Sequence, residues 1–488
     1  MRVFSVHQYP DTHLHTHAML FAPWLQRVVY VGIFLFVCVA GEGNDTSTTT
    51  TPTSEPPKND RLVLAGTILT ITLAIVFDFT NGFHDTANAT ATTIASKSLT
   101  PVQAVVISAM FNFLPAALGL NLVSNTISKT VKIDSLPMVT PTFPTGISVT
   151  LTALVGAIFW NLITWKYGIP SSSSHALIGC LVGAGLGIGG GDVINKDSIV
   201  STTLAIVISP AVSFTISTIC MFLLKNLLKL KRMQGRVGED HWIFRGLQIL
   251  AACWLSFAHG QNDAQKTMGV MAATLFAAGY LNASSSSKLD PPLWVVLSAY
   301  GAISAGTLFG GWAIIESMGM NITLITRASG FAANAGAISS IQGASELGIP
   351  VSTTQAAASA VVGSGVGAGR GVNLATIRQI GLAWLVTLPC VIAIGALLVQ
   401  SARIPEPYGV VVFGVVIAIE FSWGLYLAKT SRSLKDVKAR LAEKTDTPPT
   451  NAPETVEDTA PLIHIEKGQI ESQQTSIAGA KYGATTSL

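Results

Sequence analysis

Charge is scarce in this chain. Lysine, arginine, aspartate and glutamate make up 11% of its 488 residues, and 29 basic against 26 acidic side chains leave a formal net charge of only +3. A water-soluble protein of this length carries roughly a quarter of its residues charged, and a nucleic-acid partner calls for a concentrated basic face; both classes are excluded. The five cysteines, Cys38, Cys180, Cys220, Cys253 and Cys390, stand singly in apolar segments with no C-x-x-C spacing. That pattern excludes a disulfide framework and a thiolate metal site. The alternating ten-residue strands of a transmembrane barrel are missing as well. What is abundant is apolar: 49% of the residues are hydrophobic and the mean hydropathy is +0.51. The reading is an all-α polytopic membrane protein.

The chain divides by composition. Residues 1–60 hold a polar leader with three histidines in "HLHTH", an apolar run from Val28 to Ala40 that suits a signal or anchor segment, and a Thr/Pro-rich linker placed outside the cell. From residue 61 onward about ten to twelve apolar segments follow. A basic loop at 229–242, within a stretch that includes Lys225, Lys231, Arg232, Arg236 and Arg245, separates residues 61–228 from 243–400, and positive flanks of this kind stay in the cytoplasm. A final transmembrane helix at 401–428 precedes a cytoplasmic segment, 429–488. There Leu434, Val437 and Leu441 share one helical face, and the tail from Thr445 is polar and disordered in this reading.

Two motifs recur in one order. "NGFHDTANAT" from Asn81 aligns with "HGQNDAQKTM" from His259, so that Gly82 meets Gly260 and Asp85 meets Asp263, 178 residues apart. "GIPSSSSHALIG" from Gly168 aligns with "GIPVSTTQAAAS" from Gly348, 180 residues apart. Two motifs at nearly one spacing identify 61–228 and 243–400 as repeats. Because the first follows an external linker and the second a cytoplasmic loop, the repeats are expected to be inverted, with broken or re-entrant helices meeting near the bilayer midplane.

The residue types suggest what such a meeting point holds. Pro170 and Pro350 are expected to break the helix, leaving free N–H groups at a new helix start, reinforced by Ser172, Ser173 and Ser174 in one repeat and Ser352, Thr353 and Thr354 in the other. Two such starts can cradle a tetrahedral oxyanion. Asp85 and Asp263 cannot attract that anion; a cation between them, Na⁺ or H⁺, explains their presence, with Asn88 and Asn262 as neutral oxygen ligands. A charge at mid-bilayer costs about 2.5–3.5 kcal/mol on the insertion scale, so a repeated one is expected to function. The plainer alternatives are helix capping by the acids, neutralisation of Asp263 by Lys266, and a hydroxyl-rich turn that satisfies its own backbone. For Lys266 itself, reaching the anion is the competing role. The glycine run "GAGLGIGGG" lacks the Lys-Ser/Thr of a phosphate loop and is read as close helix packing.

"DFTNGFHDTANA", "WNLITWKYGIPSSSSHALIG", "SFAHGQNDAQKTMGV" and "GIPVSTTQ" together resemble the inorganic phosphate transporter (Pit) family, particularly its bacterial low-affinity members, over roughly residues 61–430. The resemblance implies phosphate as substrate at the Ser/Thr turns and a cation at Asp85, Asn88, Asn262 and Asp263, with Asp85 and Asp263 holding the metal if that cation is sodium. It also implies a metal-phosphate complex as one form of the cargo. Two positions depart from many relatives: His84 stands where they have asparagine, and Gln355 where they have histidine. Histidine titrates near neutral pH, so His84, His175 and His259 point to proton coupling. The expected function is phosphate import across the cell membrane by cation symport, with no cofactor and no catalytic residues. Sodium coupling, another tetrahedral oxyanion such as sulfate or arsenate, and a passive anion channel are the alternatives. A hydrolase built on Ser174 and His175 is rejected, because adjacent helical residues diverge and no G-x-S-x-G occurs. The expected partners are phosphate and the lipid bilayer, and a homo-oligomer is compatible with the sequence.

Overall fold

The computed structural model describes residues 61–136, 144–229, 238–284, 288–405, 408–429 and 439. The leader and Thr/Pro-rich linker, most of the basic loop, the face carrying Leu434, Val437 and Leu441, and the tail from Thr445 lie outside the described residues. Among those described there are thirteen α-helices and no strand, with one isolated bridge between Val131 and Ile194. In order they are α1 (Arg61–Ala95), α2 (Pro101–Phe113), α3 (Leu122–Ser128), α4 (Thr145–Lys166), α5 (Ser173–Gly189) and α6 (Lys196–Leu228). Then come α7 (Trp242–Ala277), α8 (Leu293–Phe309), α9 (Trp312–Met320), α10 (Arg327–Glu346), α11 (Thr353–Ala368) and α12 (Leu374–Leu398), and last α13 (Tyr408–Lys429).

Local features match between α1–α6 and α7–α12. Helices α4 and α10 both stop at a left-handed glycine, Gly168 at φ +64° and Gly348 at φ +68°. After each, the isoleucine N–H reaches back to a carbonyl of the last turn, Ile169 to Thr164 at 2.9 Å and Ile349 to Ala344 at 2.9 Å. This is the six-to-one bond of a Schellman stop, with proline just beyond. Within each Gly-Ile-Pro the glycine therefore ends one helix, and the proline stands just before the N-cap of the next. Helices α5 and α11 start at N-cap serines, Ser172 and Ser352, and α6 and α12 at N-cap asparagines, Asn195 and Asn373.

The packing exchanges partners between the halves. Helix α1 packs on α4, α8 and α9, whereas α7 packs on α10, α2 and α3; α6 covers α10 and α11, whereas α12 covers α4 and α5. The most apolar stretch of α4 is 78% buried and that of α6 or α12 only 22%, so α4 belongs to the core and the other two present Leu204, Val207, Leu385 and Leu397 to lipid.

Six stretches are long and apolar enough to cross a membrane, and α8 with α9, bent by 73°, makes a seventh. The ten to twelve apolar segments of the sequence thus exceed the spans recognisable by length and composition among the described residues. Helix α7 is not one of them, because its middle carries His259, Gln261, Asn262, Asp263, Gln265 and Lys266, all buried. A helix enclosed by other helices has no need of a greasy surface.

Glycine sets two helix crossings. A Cβ at Gly82 would lie 2.2 Å from the Ile303 carbonyl oxygen and one at Gly306 only 2.1 Å from that of Phe79, so α1 and α8 touch backbone to backbone. Gly183 and Gly395 do the same for α5 and α12, at 2.1 Å from Ile392 O and 2.3 Å from Cys180 O. The glycine run in α5 is a packing surface. Gly306→Ala is expected to destabilise the protein by about 1–3 kcal/mol through overpacking, while Gly301→Ala on the same helix, where a Cβ meets nothing within 4 Å, leaves it unchanged. Thermal unfolding in detergent checks both.

Candidate functional site

The stops of α4 and α10 deliver the first turns of α5 and α11 to one buried place. Ser172 Oγ accepts from the His175 N–H at 3.2 Å and Ser352 Oγ from the Gln355 N–H at 3.2 Å, each satisfying one free donor of its helix start. Ser174 Oγ donates across to the Val351 carbonyl at 3.1 Å, so the two starts meet. They meet at their tips: α5 and α11 do not pack along their lengths.

The middles of α1 and α7 hold these turns in matching ways. Asp85 accepts from Ser173 Oγ at 2.7 Å, and Asp263 from Thr353 Oγ1 at 3.1 Å. One turn after each acid stands a donor that reaches the opposite start. Asn88 Nδ2 donates to Thr353 and Thr354 at 3.2 and 3.1 Å; Lys266 Nζ donates to Ser174 Oγ at 2.5 Å, Val351 O at 2.7 Å and Asp263 Oδ1 at 2.5 Å. Lys266 therefore neutralises Asp263 and staples both turns, with all three N–H bonds used.

His84 and Asn262 occupy corresponding positions and brace the hairpin tips. His84 Nδ1 lies 2.5 Å from Asp85 Oδ1 and its Nε2 lies 3.0 Å from Thr164 Oγ1. Asn262 donates to Ser345 Oγ at 2.8 Å and accepts from the Val351 N–H at 3.3 Å. Both ends of the Asn262 amide thus hold the second turn. Asn88 keeps its Oδ1 buried without a hydrogen-bond partner among the described residues, as do both ring nitrogens of His175 and the Gln355 Oε1.

His259 lies between an amide and an acid. Asn112 Nδ2 donates to Thr307 Oγ1 at 2.9 Å, which turns the Asn112 Oδ1 toward His259 Nδ1 at 3.1 Å. With its hydrogen assigned to Nδ1 on that ground, the ring points Nε2 at Asp263 Oδ2, 3.2 Å away. Asp85, His259 and Asp263 each offer a ligand atom within 4.8 Å of the other two, an arrangement able to hold a cation.

The structure brings Asp85, Asn88, His84, His259, Asp263, Ser173, Ser174, Thr353 and Thr354 into one buried cluster, with Ser172 and Ser352 as its caps. Asn112 and Thr164 were not singled out in the sequence. Asn112, a lone amide in the apolar run "AMFNFL", carried a signal; Thr164, one hydroxyl among several on α4, carried none.

The model of the phosphate transporter family matches residues 81–395. A "Probable low-affinity inorganic phosphate transporter" of Bacillus subtilis (strain 168) is 38% identical over 337 residues, 69% of this chain and 97% of the relative. A protein of the same description from Rhizobium meliloti (strain 1021) is 42% identical over 331 residues, 67% of this chain and 93% of the relative. A solved structure described as "The sodium-dependent phosphate transporter" superposes with a TM-score of 0.58 at 26% identity, over 69% of this chain and 98% of the other.

Removing one partner of a buried ion pair strands the other charge, which costs about 3–5 kcal/mol. Lys266→Met is accordingly expected to lower thermal stability in detergent by that amount, and the double change Lys266→Met with Asp263→Asn to recover most of it. Equal losses in the single and double variants would contradict the pairing.

Proposed function

The chain belongs to the phosphate transporter family, and from that membership we propose that this multi-pass membrane protein imports inorganic phosphate by cation symport, with H⁺ as the coupling ion. The observation that carries the reading is a charge balance. Two carboxylates, Asp85 and Asp263, stand in a cluster excluded from water with one ammonium, Lys266, which is paired to Asp263. A phosphate anion entering such a place adds to an existing excess of negative charge, so a cation must come with it.

In this reading the hydroxyls of Ser172, Ser173 and Ser174 and of Ser352, Thr353 and Thr354, with the free N–H groups of the α5 and α11 starts, take the phosphate oxygens once Asp85, Asp263 and Lys266 give up some of their present contacts. A helix start is an anion site. The orphaned nitrogens of His175 and the Gln355 Oε1 sit in the same first turns. Protons are held at His84 against Asp85 and at His259 against Asp263, so that each acid carries its own titratable neighbour. Asn262, which supports the second turn, positions the site rather than ligating the cation.

The halves are read as inverted. What supports this is the tip-to-tip meeting of α5 and α11, the exchanged packing of α6 and α12, and the contrast between a Thr/Pro-rich stretch before the first half and a basic loop before the second. Inversion lets one rocking motion close the site on one side as it opens on the other.

Sodium is the second reading, and two observations favour it: the compact Asp85, His259 and Asp263 group and the printed description of the solved neighbour. Asn88 Oδ1, a buried oxygen without a partner among the described residues, fits a hard cation beside the two carboxylates.

Proteoliposomes decide between these. Wild-type protein is expected to accumulate phosphate above equilibrium under an imposed pH gradient, which a channel cannot do, and Asp263→Asn to lose that accumulation while remaining folded. Accumulation driven by sodium alone transfers the reading to sodium; normal uptake by Asp263→Asn removes that acid from the mechanism. Competition by sulfate and arsenate against labelled phosphate tests the oxyanion class.

A further inference from the structure

Asp78 lies outside the cluster just described. It precedes Asp85 by seven residues on α1, about 10 Å along the helix axis, and is 0% exposed. Its Oδ1 accepts from Thr267 Oγ1 at 2.5 Å. Its Oδ2 is buried with no hydrogen-bond partner among the described residues. Thr267 is one turn beyond Asp263, so this single bond ties α1 to α7 below the meeting point of the two helix starts.

The charged and titratable neighbours of Asp78 are few. Asp263 and Lys266 on α7 and Tyr300 on α8 lie within electrostatic reach. Lys266 has all three N–H bonds on Ser174, Asp263 and Val351, and Asp263 carries the same sign as Asp78. Beside Tyr300 stands Gln265, whose Oε1 accepts from the Val123 N–H at 2.8 Å. Ionised, Asp78 is a third buried carboxylate without a counter-ion; protonated, it is a neutral acid that asks far less of its surroundings.

We propose that Asp78 is a separate proton-binding site of this transporter, loaded with one proton when phosphate is bound and emptied when it leaves. The inference rests on the symport reading. It adds one proton to the coupling without adding any contact to phosphate. The link is electrostatic and reciprocal: a proton on Asp78 removes a negative charge from the surroundings of the anion, and the anion in turn holds the proton. Thr267 supplies one hydrogen bond that either form of the acid can accept.

The test uses full-length protein in proteoliposomes with Asp78→Asn, which fixes the neutral form, and Asp78→Glu, which keeps a carboxyl. One symported proton is worth about tenfold in accumulation for each pH unit imposed. Asp78→Asn is expected to lose about that factor per unit while labelled phosphate still exchanges between equal pools, and Asp78→Glu to restore coupling. Infrared difference spectra are expected to show a protonated carboxyl stretch on phosphate binding that disappears in Asp78→Asn. Full accumulation by Asp78→Asn with wild-type accumulation intact overturns the assignment alone. Wild-type protein that ignores the pH gradient overturns the proton reading together with it. Loss of coupling in Asp78→Glu as well, with the infrared band unaffected by phosphate, reduces Asp78 to a packing role and also overturns the assignment.

Discussion

The ion pair between Lys266 and Asp263 is the interaction on which the rest of this molecule depends. In a bundle with little charge to offer, it places a full ammonium and a full carboxylate where water does not reach, and two of the ammonium's three acceptors, Ser174 Oγ and Val351 O, belong to two different helix starts. That geometry joins α7 to the turns before α5 and α11 in one step. Take the lysine away and Asp263 faces Asp85 and the backbone carbonyl of Val351 uncompensated. With Asp85 beside it, the same pair leaves the cluster one positive charge short of balance, which makes a cation part of any anion-binding event.

The glycine contacts and the helix stops serve this pair. Left-handed glycines at 168 and 348 end two helices abruptly enough for the next helix to begin four or five residues later, inside the bundle. Backbone-to-backbone crossings of α1 on α8 and of α5 on α12 then bring polar helix middles within hydrogen-bond distance of those beginnings. A side chain at any of these glycines would separate helices whose polar atoms have no alternative partners in lipid.

Much of this is legible in the chain. The scarcity of charge gave the class, and the paired Asn/Asp and Gly-Ile-Pro motifs located the two places that matter, because a repeated polar motif in apolar surroundings has a physical cost that chance does not sustain. Partners were harder to read. Periodicity tells which face a residue occupies and not what stands opposite, so the sequence leaves Lys266 between two roles and does not reveal that Asn262 also holds the second turn or that Asn112 faces His259. Apolar segments do not count spans, because an enclosed helix such as α7 does not follow the hydropathy rule. Asp78 was quoted within a motif without being weighed, since it has no acidic counterpart in the second half, where Ser256 stands.

The central claim is that phosphate and a cation bind together because the buried cluster cannot accept an anion alone. Equilibrium binding of labelled phosphate to the purified protein, measured as pH and sodium concentration are varied separately at constant ionic strength, tests it most directly. After allowance for the ionisation of phosphate itself, the account predicts an affinity that weakens about tenfold per pH unit for each proton bound with it, or in proportion to sodium if that ion takes the place. An affinity indifferent to both would contradict it.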